Sequence, residues 1–264
     1  MLEFFLLTML LGMLAGLLAG LFGLGGGLII VPALLWLFSG QQFPENQLMI
    51  MAVATSLATI ILTSISSLLS HQRLGNIGWD RVYKLTPGIL LGSAAGAKVA
   101  DWVSADNLKW FFICYLLYVA VRMALQIQPK SQRKKTSTRL DYLVGNGIGL
   151  ISSILGIGGG SLTVPYLLGR QVPMKNAIAV SSVCGLPIAL SGTIIYAILG
   201  WGKMNLPEWS LGYIYLPAFL GITLCSILTA PLGAKLAHKL PAKKLKRYFS
   251  ILILMIAIKM MFQA

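Results

Sequence analysis

Two short stretches of this sequence combine residue types that can hold a small anion without any charged side chain. Gly23-Leu24-Gly25-Gly26-Gly27 leads into Leu28-Ile29-Ile30-Val31-Pro32, and 133 residues later Gly156-Ile157-Gly158-Gly159-Gly160 leads into Ser161-Leu162-Thr163-Val164-Pro165. Both are embedded in apolar sequence. Consecutive glycines weaken a helix, so each run predicts a break, and an amide freed in hydrocarbon needs a partner inside the protein. A helix beginning near Gly26 or Gly159 presents its first unbonded N–H groups and the positive end of its dipole, which together suit a small anion. Breaks at corresponding places in two repeats are also the pattern of a transporter binding site. Close crossing of neighbouring helices is a second use for the same glycines, compatible with the first. A dinucleotide-binding reading fails, because no strand is predicted before either run and no charged residue follows at the required distance.

Hydroxyl side chains supply the neighbouring chemistry. Thr55, Thr59, Thr63, Ser66 and Ser70 recur every three or four residues, which places them on one face of a helix. Such a stripe either lines a polar path or bonds back to helix carbonyls and neighbouring helices. Ser181, Ser182 and Ser191 occupy the comparable later helix, where Pro187 predicts a kink. The later stretch also carries Asn146, Ser152, Ser153, Ser161 and Thr163 where the earlier one has Met13, Ala19, Gly20, Leu28 and Ile30. It is therefore expected to supply more of the neutral hydrogen-bond donors. The candidate binding residues are Gly25, Gly26, Gly27, Thr55, Ser56, Gly158, Gly159, Gly160, Ser161, Ser181 and Ser182.

Charged chemistry is sparse. Glu3, Glu45, Asp80, Asp101, Asp106, Asp141 and Glu208 fall at predicted helix ends or loops, and His71 and His238 in loops, so no buried carboxylate marks a proton relay. Lys98 pairs with Lys235 and Arg122 with Lys259 across the repeat, all near predicted helix ends, where long cations reach the interface; attraction of anions toward the path is the other reading. Cys114, Cys184 and Cys225 have neither disulfide nor metal-site spacing, and no His-Glu motif or carboxylate pair is present. An intramembrane enzyme is thus disfavoured, and no metal or cofactor is expected. A packing scaffold without transport activity is the other class, which flux measurements in liposomes would separate.

The elements that must position these residues follow from composition. Of 264 residues 57% are hydrophobic and 11% charged, far below the roughly 25% charged of a soluble domain. Apolar runs long enough for helices of about 20 residues recur from end to end. The net charge of +14 lies mainly in two basic runs, around 130–139 and 239–247. Both separate apolar segments, so they read as cytoplasmic loops rather than a nucleic-acid surface. The N-terminus lacks a basic n-region and is expected to stay as the first membrane helix.

Self-similarity sets the organisation. Besides the glycine runs, Ala52-Val53-Ala54-Thr55 matches Ala179-Val180-Ser181-Ser182, and Gly96-Ala97-Lys98 matches Gly233-Ala234-Lys235. The expected fold is an all-α polytopic bundle of two inverted five-helix repeats, 1–127 and 141–264, joined by a basic linker at 128–140. Helices are predicted near 2–22, 26–39, 47–70, 84–99 and 107–126, then 141–157, 160–170, 175–199, 210–236 and 243–263. The helices after the glycine runs are too short to span comfortably. Loop charge places Arg73, Arg81, Lys84, Arg170, Lys175 and both basic runs inside, with the loops at 40–46, 99–107 and 200–209 and both termini outside.

The paired Gly-x-Gly-Gly-Gly runs leading to Val-Pro, the Ala54-Thr55-Ser56-Leu57 segment and the Gly-Ala-Lys of each half resemble the sulfite exporter TauE/SafE family over almost the full chain. The resemblance implies a multi-pass permease of the cytoplasmic membrane whose substrate is a small sulfur-containing anion such as sulfite or an organosulfonate. Lipid is then its other partner. Ala54 stands where the family often has glycine, and Ser181-Ser182 also departs from its pattern, so substrate identity does not transfer by motif. Outward movement of an anion could draw on the membrane potential, about 2.3 kcal/mol per charge per 100 mV. A channel or carrier for another small anion is the alternative transport reading.

Overall fold

The computed structural model describes residues 2–23, 25–41, 43–73, 75, 77–125, 137–203, 205–239 and 242–262. The linker cations Lys130, Arg133, Lys134 and Lys135, and the side chains of the second basic run up to Lys246, lie outside the described residues. The described chain is almost wholly helical. Its elements are α1 Leu2–Phe22, α2 Gly27–Ser39, α3 Glu45–Arg73, α4 Trp79–Trp102, α5 Ala105–Ala124, α6 Thr138–Leu155, α7 Gly160–Gly169, α8 Met174–Leu199, α9 Leu216–Lys239 and α10 Ala242–Phe262. A two-residue-strand hairpin, β1 Ser210–Leu211 and β2 Ile214–Tyr215, precedes α9.

Helices α1, α3, α5, α8 and most of α9 are long and apolar enough to cross a membrane. The 13-residue α2 and the 10-residue α7 are only about 20 and 15 Å long at 1.5 Å per residue, short of the roughly 30 Å hydrocarbon. Large apolar side chains such as Leu14, Leu91, Ile194, Leu228 and Met255 cover the outside. Inside, small and hydroxylated residues lie among large apolar side chains such as Phe38, Phe112 and Leu34, and let the helices approach closely as expected in lipid.

One predicted boundary moves for a clear reason. A helix was expected over 210–236, but the chain folds into the hairpin first, because Gly212 takes φ 57° between the strands. Helix α9 starts only at Leu216. Pro217, at its second position, gives up an N–H that no helical bond would have used.

The packing repeats along the chain. Helix α1 packs on α9 as α6 packs on α4, and α2 packs on α3 as α7 packs on α8, while α3 and α8 meet at the centre and α5 meets α10. Glycines at intervals of four make the first two contacts close. Gly12, Gly16 and Gly20 of α1 face the α9 backbone at Ile222, Ser226 and Ala230, and Gly88, Gly92 and Gly96 of α4 face the α6 backbone at Tyr142, Asn146 and Leu150. At each of these six positions a Cβ would overlap main-chain atoms, so the helices touch backbone to backbone. Ascending numbers meet ascending numbers, so each of these pairs runs parallel. Helices α3 and α8 run antiparallel: a Cβ at Gly192 would lie 2.7 Å from Leu57 and one at Gly185 would lie 2.9 Å from Ser64.

Candidate functional site

The glycine runs end up against each other at the centre of the molecule. Gly26 and Gly159 are the N-caps of α2 and α7, both left-handed with φ 78° and 72°, and Gly23 and Gly156 are left-handed as well. A side chain at these four positions would be strained, which is why the runs need glycine. A Cβ at Gly25 would stand 2.8 Å from the Gly158 Cα and 3.1 Å from its nitrogen, so the two breaks are in backbone contact. The amides of Gly160 and Ser161, like those of Gly27 and Leu28, precede the first intrahelical acceptor of their helix. Helix breaks at both runs are as the sequence predicts.

Two serines bind the breaks into place. The Ser56 hydroxyl donates to the Gly156 carbonyl at 2.7 Å, and the Ser181 hydroxyl donates to the Gly23 carbonyl at 2.8 Å. Helix α3 thus holds the break after α6, and α8 the break after α1. A second matched pair lies toward the surface, where Ser66 donates to Ile227 O at 2.8 Å and Ser191 to Leu90 O at 2.9 Å. Ser56 with Ser181, and Ser66 with Ser191, share one sequence offset of 125 residues, two fewer than the offset read from the Ala-Val-Ala-Thr match. The structural register therefore sets Ala52-Val53-Ala54-Thr55-Ser56 beside Ala177-Ile178-Ala179-Val180-Ser181.

The remaining predicted hydroxyls also have partners. Thr55 Oγ1 accepts from the Tyr215 amide at 3.0 Å, Ser182 donates to Ile178 O at 3.0 Å, and Ser161 pairs with the Tyr115 hydroxyl. Thr59 and Thr63 donate back to the carbonyls of Ser56 and Thr59, and Thr63 also shares a 3.0 Å hydrogen bond with Ser226 of α9. The stripe then departs from the expectation. Ser66 and Ser70 turn toward the partly exposed side, and the buried line Thr55, Thr59, Thr63 continues instead through Ser67 to His71. His71 was expected in a loop but lies in the last turn of α3, only 1% exposed.

A different group of hydroxyls lies outside the predicted binding residues. Ser152 and Ser153 at the end of α6 and Thr163 in the first turn of α7 are each 0% exposed, and no hydrogen-bond partner meets their oxygens. A Cβ at Gly159 would lie 3.3 Å from Ser152 Oγ, which puts Ser152 beside Thr163 at the start of α7, whereas Ser153 Oγ faces α8, where a Cβ at Gly192 would lie 2.9 Å from it. A buried hydroxyl without a partner costs about 1–3 kcal/mol. Their only sequence signal was the asymmetry with Ala19, Gly20 and Ile30 at the equivalent places.

The three nearly neutral loops gather at one end. They line a pocket of about 160 Å³ between Asn46, Gln47, Asp101, Val103, Lys203 and Tyr213. There Lys203 Nζ donates to Asp101 Oδ1 at 2.7 Å and to the Tyr213 hydroxyl, which itself donates to Asp101 Oδ1 at 2.5 Å. Burial works to lower the Lys203 pKa, but the hydrogen bonds to Asp101 and Tyr213 outweigh it and raise the pKa above its ordinary value. Burial and then the Asp101 hydrogen bond raise that of Tyr213. A second cluster joins the Tyr166 hydroxyl to Asp141, with the Arg170 guanidinium 5.3 Å above the Tyr166 ring. Lys98 and Lys235 are exposed on the outside of the bundle, within a few residues of helix ends, which fits snorkelling and not a role in the interior. Lys259 covers the Trp36 ring at 4.8 Å, and Arg122 donates to Tyr118 OH at 2.9 Å.

Comparison with known proteins agrees with this architecture. The model of the sulfite exporter TauE/SafE family matches residues 8–260. A Haemophilus influenzae chain named "Probable membrane transporter protein" is 42% identical over 98% of this chain and 99% of its own length. A Methanocaldococcus jannaschii chain of similar name is 30% identical over 88% of this chain and 86% of its own. No solved structure matches. With a family match across nearly every helix and a bundle built for lipid, the chain belongs to the sulfite exporter TauE/SafE family of multi-pass membrane transporters.

Proposed function

We propose that this transporter is a permease for small sulfur-containing anions, sulfite or organosulfonates, in the cytoplasmic membrane. In this reading 1–127 and 141–264 are inverted repeats joined by a cytoplasmic linker at 128–140. The observation that carries it is the meeting of two short helices that begin at left-handed Gly26 and Gly159, with Gly25 against Gly158. Helix N-termini converging from two repeats give an anion two sets of unbonded amides without a buried counter-ion, and exclude cations by the same field. The antiparallel α3 and α8, together with paired serine bonds at equal offset, support the inverted arrangement.

The anion is held between Gly25, Gly26 and Gly27 on one side and Gly158, Gly159, Gly160 and Ser161 on the other. Ser152 and Thr163, at the start of α7, complete its hydrogen bonds. Ser56 and Ser181 act by positioning the breaks, with Thr55 and Ser182 flanking them. The contact of Gly25 with Gly158 describes a closed state, so passage requires the broken helices to separate. Tetrahedral and pyramidal oxyanions match this set of donors, because each oxygen accepts more than one hydrogen bond.

The test is flux into proteoliposomes of the purified chain for sulfite, an alkanesulfonate, sulfate and chloride, with thermal shift for each. Saturable sulfite or sulfonate flux supports the reading. Flux of chloride alone makes it a different anion carrier, and no flux with no thermal stabilisation by any of the four overturns it.

A further inference from the structure

We propose that Lys203 is an entry subsite for the transported oxyanion, held shut in this conformation by the Asp101 carboxylate, which occupies the place of the substrate's oxygens. The proposal rests on the permease reading and goes beyond the glycine junction to a second, peripheral place of recognition. The pocket of about 160 Å³ opens at the end of the bundle where the neutral loops gather, with room for a small oxyanion and several waters. It offers the ammonium of Lys203, the hydroxyl of Tyr213 and the side-chain amide of Asn46. These are groups that bind oxyanions. Asp101 Oδ1 takes bonds from two of them, from Lys203 at 2.7 Å and from Tyr213 at 2.5 Å.

Accessibility decides the order of events. The Lys203 side chain is 41% exposed and that of Asp101 only 13%, so an anion arriving from solvent meets the cation first. Lys203 is held above its ordinary pKa by those same contacts and is charged at neutral pH. A partly exposed ion pair adds little net stability, so replacing one oxyanion by another on the same ammonium is close to balanced. The exchange has a mechanical consequence. Asp101 ends α4, while Lys203 and Tyr213 belong to the segment between α8 and α9, so the pair ties together the two stretches of the repeat. An anion on Lys203 releases that tie as it enters, which links arrival of substrate to loosening of the closed state.

The test compares two substitutions that break the same ion pair. In proteoliposomes of the full chain with sulfite as probe, Lys203→Gln should raise KM at least tenfold with kcat changed less than about threefold, and Lys203→Arg should restore KM. Asp101→Asn should lower KM, because it uncovers the ammonium. If the pair is only a structural clasp, both substitutions act in the same direction, and that result overturns the proposal. Should Lys203→Gln fail to fold, as judged by size-exclusion profile, Asp101→Asn alone decides: a KM unchanged or raised overturns it. The permease reading fails separately. If the parent is stabilised by sulfite in thermal shift but does not move it, that reading falls and the same opposed order in the thermal-shift midpoint concentrations still supports the subsite. A parent neither stabilised by sulfite nor able to move it overturns both.

Discussion

Replacing Gly25 by alanine tests the contact on which the glycine junction depends, and Gly75 provides the comparison. Both are left-handed, with φ 71° and 68°. An alanine at either loses about 1–2 kcal/mol to that backbone conformation. They differ in surroundings: a Cβ at Gly75 meets nothing within 4 Å, whereas one at Gly25 meets Gly158 Cα at 2.8 Å, Gly158 N at 3.1 Å and Ile60 Cγ2 at 3.3 Å. Two of those atoms are backbone and cannot rotate away, so overpacking adds about 1–3 kcal/mol. Gly25→Ala should therefore destabilise by about 2–5 kcal/mol and Gly75→Ala by about 1–2 kcal/mol. The assay is thermal unfolding of both purified variants in one detergent, where each kcal/mol corresponds to about 2–4 °C for a chain of this size. Flux is read in parallel: Gly75→Ala should transport as the parent does, and Gly25→Ala should not. Equal melting of the two variants, or parental flux in Gly25→Ala, would refute the contact between the runs as the seat of transport.

Ser56→Ala and Ser181→Ala should each cost about 1 kcal/mol, because interhelical hydrogen bonds in lipid are worth less than the full burial penalty; the two melting shifts should agree, and a shift in one alone argues against equivalent roles. Thiol labelling from outside intact cells, after Cys114 is replaced by serine, should reach cysteines placed at Gln41 and Trp209 and miss those at Gln72 and Lys175; the reverse pattern inverts the topology. Gly92→Val should block folding, since its side chain would meet the Asn146 backbone, whereas Gly147→Val, with nothing within 4 Å, should express normally. The raised pKa of Lys203 means its ion pair contributes fully below the ordinary lysine value of 10.5 and is lost as pH rises through the folded value. The melting difference between parent and Lys203→Met should be level near neutrality and shrink above about pH 10.5.

Much of this protein follows from one-dimensional pattern. Apolar runs with few charges dictate membrane helices, because lipid offers backbone groups no partners and each segment must satisfy its own. Gly26 and Gly159 mark helix starts because only glycine takes their left-handed conformation without strain, a purely local property. The repeat is legible for the same reason, being carried by strings of residues. The close-packing role of Gly12, Gly16 and Gly20, and of Gly88, Gly92 and Gly96, came only with the fold, since nothing in the string names the partner helix.

What the tertiary structure decided is which polar groups face which. Ser56, Thr55, Ser181 and Ser182 look like free donors in sequence, yet each is engaged by a carbonyl or amide, those of Ser56, Thr55 and Ser181 a hundred or more residues away. Ser152, Ser153 and Thr163, buried without partners, are told apart from them only by the packing around α7 and α8. The buried line on α3 passes through Ser67 to His71 because helical spacing drifts, and only the neighbouring helices choose which side is covered. Asp101, Lys203 and Tyr213 are separated by more than a hundred residues at their widest and became one cluster because α4 packs on α8 and the hairpin at Gly212 folds back against Ala197 of α8. Side-chain chemistry and local conformation are written along the chain, whereas the pairing of donors with acceptors belongs to contacts between distant segments.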